Sequence, residues 1–336
     1  MSDTIKQSDP IKQADSGDIL RNAAIHVAPS PHILNTANTT QKMMKDVLTG
    51  LLPIIFMSVW LFRAYAVKQL MICTLACLIS EFIFVRMRGR SASLDDCSAL
   101  VTGIILALSL PGSAPWFVGV IASVIAMGIG KIIFGGLGMN IFNPAMVGRA
   151  FVMIAFAQLM GASSYENMTG LADAVSGATP LSALKFSGSA IKISDLFWGV
   201  TNGSLGETSA FACLVGGLFL VLRKTASWQI PLSIILTVTG IAGITDIAGS
   251  HSGAFLFHHL FGGSLMFGAF FIATDPVTSP LTARGKWYFG FGTGVLVMVI
   301  RLFSGYPEGV MFAILLMNAV TPLINRWTTP LPMGEA

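Results

Sequence analysis

The chain has 336 residues, 54% hydrophobic and only 11% charged, with a mean hydropathy of +0.74; soluble proteins carry about 25% charged residues. That composition excludes an ordinary soluble enzyme and implies an integral membrane protein. The net charge of +4 is then no mark of a nucleic-acid partner, because Lys and Arg in such a chain mainly set its orientation in the lipid bilayer.

Residues 1–44 form a polar segment in which Asp3, Asp9, Asp15 and Asp18 alternate with Lys6, Lys12 and Arg21. No apolar stretch there leads to a cleavage site, so no secretory signal is expected. Apolar spans are predicted at Val47–Phe62, Lys68–Val85, Cys97–Leu110, Trp116–Phe134 and Ala145–Met160, which makes 45–160 a first membrane block. A polar loop, 161–208, follows. The second block, 209–327, holds predicted spans Ala210–Leu222, Trp228–Ile247, Phe255–Ala273, Trp287–Phe303 and Val310–Ile324, and 328–336 is a short tail. Several spans fall short of the ~20 residues that cross a bilayer untilted. The fold class is therefore all-α and membrane-integral, with about ten transmembrane helices.

Orientation follows from the basic residues near the span ends. With the N-terminus in the cytoplasm, Lys42, Lys45, Arg86, Arg88, Arg90, Lys131, Arg149, Arg223, Lys224, Arg284, Lys286 and Arg326 fall inside, and only Arg63, Lys68, Lys185, Lys192 and Arg301 outside. Both termini are thus predicted cytoplasmic and the 161–208 loop periplasmic.

Gly103-Ile-Ile-Leu-Ala-Leu-Ser-Leu-Pro111 and Gly268-Ala-Phe-Phe-Ile-Ala-Thr-Asp-Pro276 are stretches of equal length. The displacement that superposes them also lays spans one to five over spans six to ten. Five is odd, so the second half lies upside down, giving two inverted five-helix repeats. Span three stops at Ser109-Leu110-Pro111; span eight contains Gly262-Gly263 and stops at Thr274-Asp275-Pro276. Short or Gly/Pro-interrupted segments at matching places point to broken helices, so helices three and eight are expected to unwind at Ser109–Pro111 and Thr274–Pro276. Asp275 is the acidic side chain at these breaks. Thr274 and Asp275 are therefore candidates for an ion or second-cofactor site, the alternative being a plain helix cap.

Other polar groups read more simply. The Gly-rich stretch from Phe134 to Pro144 lacks the Lys and Thr of a phosphate-binding loop and reads as a tight re-entrant turn. His258-His259 reads as an interfacial pair, and Glu81, close to Arg86, as an acid at the membrane surface. Cys73, Cys77, Cys97 and Cys213 lack C-x-x-C spacing and read as small apolar side chains, not as ligands of an iron–sulfur cluster. No nucleophile, general-acid or metal constellation emerges. Any enzymatic activity belongs to a complex of which this chain is one subunit.

Between the two membrane blocks lies Asp173-Ala174-Val175-Ser176-Gly177-Ala178-Thr179-Pro180. Asp-x-x-Ser-Gly-Ala-Thr resembles the acceptor site at which a flavin transferase esterifies the phosphate of FMN to a threonine, here Thr179, with Asp173, Ser176, Gly177 and Ala178 as the attachment motif. Such chemistry calls for an exposed hydroxyl among small neighbours. An ordinary small-residue turn is the other reading.

Together with Gly-Gly-Leu-Gly-Met-Asn-Ile-Phe-Asn-Pro-Ala-Met-Val-Gly-Arg-Ala before it and Ala-Thr-Asp-Pro-Val-Thr-Ser-Pro after it, the chain from Lys45 to Trp327 resembles the RnfD family of the Rnf electron-transport complex. It is also similar to the paralogue NqrB of the sodium-translocating NADH:quinone oxidoreductase. The resemblance implies a bacterial inner-membrane complex that moves electrons between NADH and ferredoxin-type carriers, coupled to Na⁺ or H⁺ translocation. It further implies a phosphoester-linked FMN on Thr179, which makes the chain a phosphoprotein, and a non-covalent riboflavin between the helices. The implied partners are the other membrane subunits, the periplasmic-side flavoprotein RnfG and the flavin transferase. A small-solute transporter with inverted repeats is the alternative from composition and repeat alone.

Overall fold

The structure, a computed structural model, describes residues 39–89, 96–160, 179–188, 191–249, 254–306 and 308–330. Asp173, Ser176, Gly177, Ala178, Arg90, the first 38 residues and the last six lie outside that set.

The described residues fold into helices and connecting turns. The first half comprises α1 (Thr40–Phe62), α2 (Ala64–Met87), α3 (Ser98–Ser109), α4 (Trp116–Met127, continued by a π turn, Gly128–Ile132) and α5 (Pro144–Ala155). The second comprises α6 (Ala210–Leu222), α7 (Gln229–Gly249), α8 (Ala254–Phe261), α9 (Leu265–Phe267, continued by a π turn, Gly268–Ile272), α10 (Ala283–Phe303) and α11 (Val310–Thr328). Helices overlie the predicted spans, with interruptions in the eighth at Gly262–Ser264 and in the fifth at Phe156. Side chains mark the starts: Thr39 accepts from the Lys42 amide, Asn143 from those of Ala145 and Met146, and Ser209 from that of Ala212, the N-capping that Thr, Asn and Ser favour.

Length separates these helices into two kinds. Among the described residues α1, α2, α7, α10 and α11 are long and apolar enough to cross a membrane, and α8 with α9 makes a sixth if the pair counts as one span bent by 49°. The α3, α4, α5 and α6 helices are shorter. Helix three stops where expected: α3 is a 12-residue helix that ends at Ser109, with Leu110 already extended. Helix eight is broken, but at Gly262–Ser264, not at Thr274–Pro276, which merely follows its last turn.

Packing repeats between the halves. In the first, α2 lies against α3 and α4, and α4 against α5; in the second, α7 lies against α10 and the π turn of α9, and α10 against α11. The halves join along α1–α6 and α5–α11. The α1–α6 crossing is a backbone contact: a Cβ on Gly216 would strike the Gly50 carbonyl oxygen, and one on Gly50 would meet the Gly216 carbonyl at 3.2 Å. Small residues at such crossings let helices gain dispersion contacts where lipid leaves no hydrophobic drive for association. Outward faces are apolar instead, as with Phe56 and Trp60 on α1 and Met71, Leu75 and Ile79 on α2. This is a multi-pass membrane protein.

Gly216→Ala should force α1 and α6 apart at the seam between the halves, at a cost of about 1–3 kcal/mol typical of overpacking. Thermal unfolding of the detergent-solubilised chain should show a lower midpoint, while Gly240→Ala, where a Cβ meets nothing, should leave it unchanged.

Candidate functional site

Thr179 sits at the start of a short helical turn, Pro180–Ser182, that passes into a π turn, Ala183–Ser187. Pro180 is suited to a first helical position because its missing N–H needs no partner there. The Thr179 hydroxyl accepts from the Ser182 amide at 3.3 Å and shares a 2.8 Å hydrogen bond with the Ser182 hydroxyl. The threonine is 9% exposed. The exposed acceptor that the chemistry called for is therefore not found: the hydroxyl is occupied as a helix cap and the residues after it are packed down.

They are packed onto the break between α8 and α9. Leu181 fills the space beside Gly262 and Gly263, and Lys185 Nζ donates to the carbonyls of Arg301 (2.7 Å) and Ser304. The break itself exposes backbone groups that hydrocarbon cannot satisfy, and two side chains of opposite charge, the buried Arg301 and the part-buried Glu308, meet them. Arg301 Nη1 and Nη2 donate to the carbonyls of His259 (2.5 Å) and Gly262 (3.2 Å), closing the C-terminal end of α8. Glu308 Oε1 accepts from the Ser264 amide at 2.9 Å, closing the N-terminal end of α9. Each charge also has the sign that its helix end favours. Gly263, at φ +68°, turns the corner; a side chain there would be strained and would collide with Glu308.

Glu308 belongs to a larger buried set. Arg149 on α5 pairs with Glu207 (Nη1–Oε1 2.7 Å) and Glu308 (Nη2–Oε2 3.2 Å) and reaches Ser204 at 3.4 Å. Burial pushes the Glu207 carboxyl up, Arg149 pulls it down and the facing Glu308 raises it again, leaving it above the usual carboxylate range. Glu207 and Glu308 line one small cavity with Thr179, Thr201 and Asn202. The Ser204–Glu207 turn also satisfies the end of α3, since the Gly206 and Leu205 amides donate to the carbonyls of Leu108 (2.7 Å) and Leu110 (3.2 Å).

A second cavity lies at the other end of α3. Its walls include Met44, Val101, Ile105 and Phe271, and its polar edge Ser98, Thr102, Lys131, Asn140, Thr274 and Asp275. Thr274 donates to the Phe270 carbonyl at 2.6 Å. Asp275 accepts from the Val277 amide (3.3 Å) and the Thr278 hydroxyl (3.2 Å), so it caps its own turn while also facing the cavity. Desolvation holds its carboxyl above the usual range against those two hydrogen bonds. At the edge, Lys131 pairs with Glu81 and donates to Ser98 Oγ at 2.5 Å, and Asn140 Oδ1 is buried without a hydrogen-bond partner.

Thr179 and the Thr274–Asp275 pair are thus not brought together. They border cavities at opposite ends of α3, about 18 Å apart at 1.5 Å per residue for its 12 residues. The start of α1 and the end of α11 share the Asp275 side: Met43 and Met44 line that cavity, and the Leu281 amide and the Thr282 hydroxyl bond to Asn325 and Thr328. Three sequence expectations need correction. Glu81 is no surface acid but is buried and paired with Lys131; His258 and His259 are 1% and 5% exposed at the end of α8, not interfacial; and Arg149 is a buried partner of Glu207, not a marker of orientation. Sequence reasoning passed over Glu207 and Glu308 and took Arg301 only as a mark of orientation. Their charge in an otherwise apolar chain was the available signal.

A model of the NQR2, RnfD, RnfE family matches residues 26–334. The chain is 40% identical over 306 residues to the D-type subunit of the Na(+)-translocating ferredoxin:NAD(+) oxidoreductase complex of Acetobacterium woodii, covering 90% of this chain and 93% of that protein. It is 39% identical over 321 residues to the D-type subunit of the proton-translocating ferredoxin:NAD(+) oxidoreductase complex of Clostridium ljungdahlii (92% and 96% covered). To the D-type subunit of the ion-translocating oxidoreductase complex of Stutzerimonas stutzeri it is 39% identical over 330 residues (89% and 93% covered).

Arg301→Met removes the donors to two buried carbonyls and should destabilise the fold by about 1–3 kcal/mol for each carbonyl orphaned. Glu308→Gln keeps an acceptor for the Ser264 amide and should cost less. Denaturant or thermal midpoints of the two variants, measured side by side in detergent, should fall in that order.

Proposed function

The chain belongs to the NQR2, RnfD, RnfE family, and we propose that it is the membrane flavoprotein subunit of an ion-translocating oxidoreductase complex, carrying electrons between NADH and ferredoxin-type carriers. The observation that carries this reading is the full-length likeness to relatives named as the D-type subunit of a ferredoxin:NAD(+) oxidoreductase complex, joined to a threonine hydroxyl at the helix break. The likeness to those relatives favours an Rnf-type complex over a sodium-translocating NADH:quinone oxidoreductase, and a complex subunit over a free-standing solute transporter. Coupling is to Na⁺ or H⁺: the two relatives differ in the ion that their names carry.

Thr179 is the residue to which FMN is joined by a phosphoester, put there by a flavin transferase, and Asp173, Ser176, Gly177 and Ala178 complete the attachment motif. What supports the assignment is that Thr179 offers a hydroxyl beside a cavity and that its oxygen, once esterified, can still accept from Ser182. When bound, FMN supplies one- and two-electron transfer. The protein's part is to tether, to keep water out and to hold charge. Arg149 and Arg301 balance Glu207 and Glu308 in the buried wall, so the tether sits beside a compensated cluster.

The cavity at Asp275 is the place for the second, non-covalent riboflavin. Its apolar walls suit a flat ring and its edge offers Lys131, Thr102 and the unpartnered oxygen of Asn140. Asp275 also borders this site as a coupling carboxylate. The subunit lies in a bacterial inner membrane with both termini cytoplasmic and Thr179 on the periplasmic side, where RnfG and the remaining membrane subunits meet it.

Thr179→Ala should abolish flavin fluorescence of the denatured subunit on a gel while the protein still inserts, and Thr179→Ser should keep part of it. An unmodified Thr179 peptide in fully active complex, seen by mass spectrometry, rules out the tether. Asp275→Asn keeps the cap's size but not its charge. It should lower the ion-to-electron ratio several-fold in sealed vesicles, whereas an unchanged ratio and rate reduce Asp275 to a cap.

A further inference from the structure

The hydroxyl proposed to carry the flavin is buried, beside a cavity lined both by the connecting loop (Leu196, Thr201, Asn202, Glu207) and by the helix break (Phe261, Gly263). Thr179 is 9% exposed, Leu181 3% and Ser182 2%. Residues 179–187 form a strap, closed on itself by the Thr179–Ser182 bond and held to the helices at two points: Leu181 is wedged against Gly262 and Gly263, and Lys185 is bonded to the carbonyls that end α10, Arg301 and Ser304. The open side of Thr179 faces the cavity whose wall carries Glu207 and Glu308.

Resting on the assignment of FMN to Thr179, we infer that the strap is a latch: Thr179 receives its flavin only while residues 179–187 stand off the helix break, and Lys185 sets how often they do. The chemistry makes the access requirement strict. FMN itself has a phosphomonoester with no good leaving group, so the donor is a flavin dinucleotide, whose phosphoanhydride activates the phosphorus. Thr179 Oγ1 forms the new P–O bond, the anhydride P–O bond breaks, and the nucleoside monophosphate leaves with the electron pair. The hydroxyl proton passes to a base of the transferase, and nothing is oxidised or reduced. That displacement needs the nucleophile in line with the leaving group inside the transferase, which a capped, buried hydroxyl cannot reach.

The same geometry accounts for closing afterwards. In the 2.8 Å contact between Thr179 and Ser182 either oxygen can donate. Once esterified, Thr179 Oγ1 can only accept, and Ser182 supplies a hydroxyl and an amide to it. The latch therefore closes over a modified threonine without losing its cap.

The test uses the full-length chain made in cells without the transferase, purified in detergent, then mixed with transferase and flavin dinucleotide. Covalent label is followed by in-gel fluorescence. Lys185→Met removes both bonds at similar side-chain length and should speed labelling about tenfold, the weight of one to two net hydrogen bonds, while Lys185→Arg, which can still donate, should stay near wild type. Should Lys185→Met fail to fold, Leu181→Ala withdraws the wedge and should act in the same direction. Rates for these two variants equal to or below wild type overturn the latch. Chain made with the transferase present is the control: no flavin on its Thr179 overturns the FMN assignment instead.

Discussion

The rest of the structure depends on one constraint: a helix that stops inside a membrane protein must find partners for its last carbonyls and first amides, because hydrocarbon offers none. At the α8–α9 break those partners are a guanidinium on α10 and a carboxylate just before α11. Burying the carboxylate alone would be expensive, so Glu308 is tied to Arg149, and Arg149 to Glu207. The cluster is the consequence of the break. Thr179 lies where it does because the strap that follows it is packed on the same break.

The opposite end of the membrane region solves a similar problem in a similar way. The first turn of α3 is closed by Asp96, which accepts from the Ser98 amide (2.9 Å) and hydroxyl (2.8 Å), as α9 is closed by Glu308 at Ser264. Lys131 and Glu81 form the buried pair there. Each half thus contributes one short helix whose N-terminus carries a serine and an acid, and whose other end lies near the other half's cluster. Two cavities result, one at each end of α3, with the apolar, fully packed residues of that helix between them.

This arrangement separates what must move from what must hold. The α2–α4 and α7–α10 layers are packed through small residues, Gly119 against Cys73 in one and Gly290 and Gly294 against Ser233 and Thr237 in the other, and their packing does not depend on the strap. Residues 179–187 instead are fastened to the helices by one leucine and one lysine. Contacts this few give a segment that opens locally without unfolding the core.

Composition and periodicity determined a good deal unaided. A low charge fraction required a membrane protein, apolar runs located the long helices, and Gly262-Gly263 marked a weak point in helix eight. The family was legible because its motifs combine rare residue types in order. Other features were decided only by the tertiary structure. Pro276 and Thr274 looked like the break, yet the chain bends at Gly262–Ser264, because only there do Arg301 and Glu308, some 40 residues further on, arrive to satisfy the ends. Thr179 looked exposed because loop residues between spans usually are, whereas Leu181 and Lys185 find apolar space and bare carbonyls on helices remote in sequence. Charge can be read one residue at a time; whether it is paired, and so whether it can be buried, depends on residues brought together by the fold.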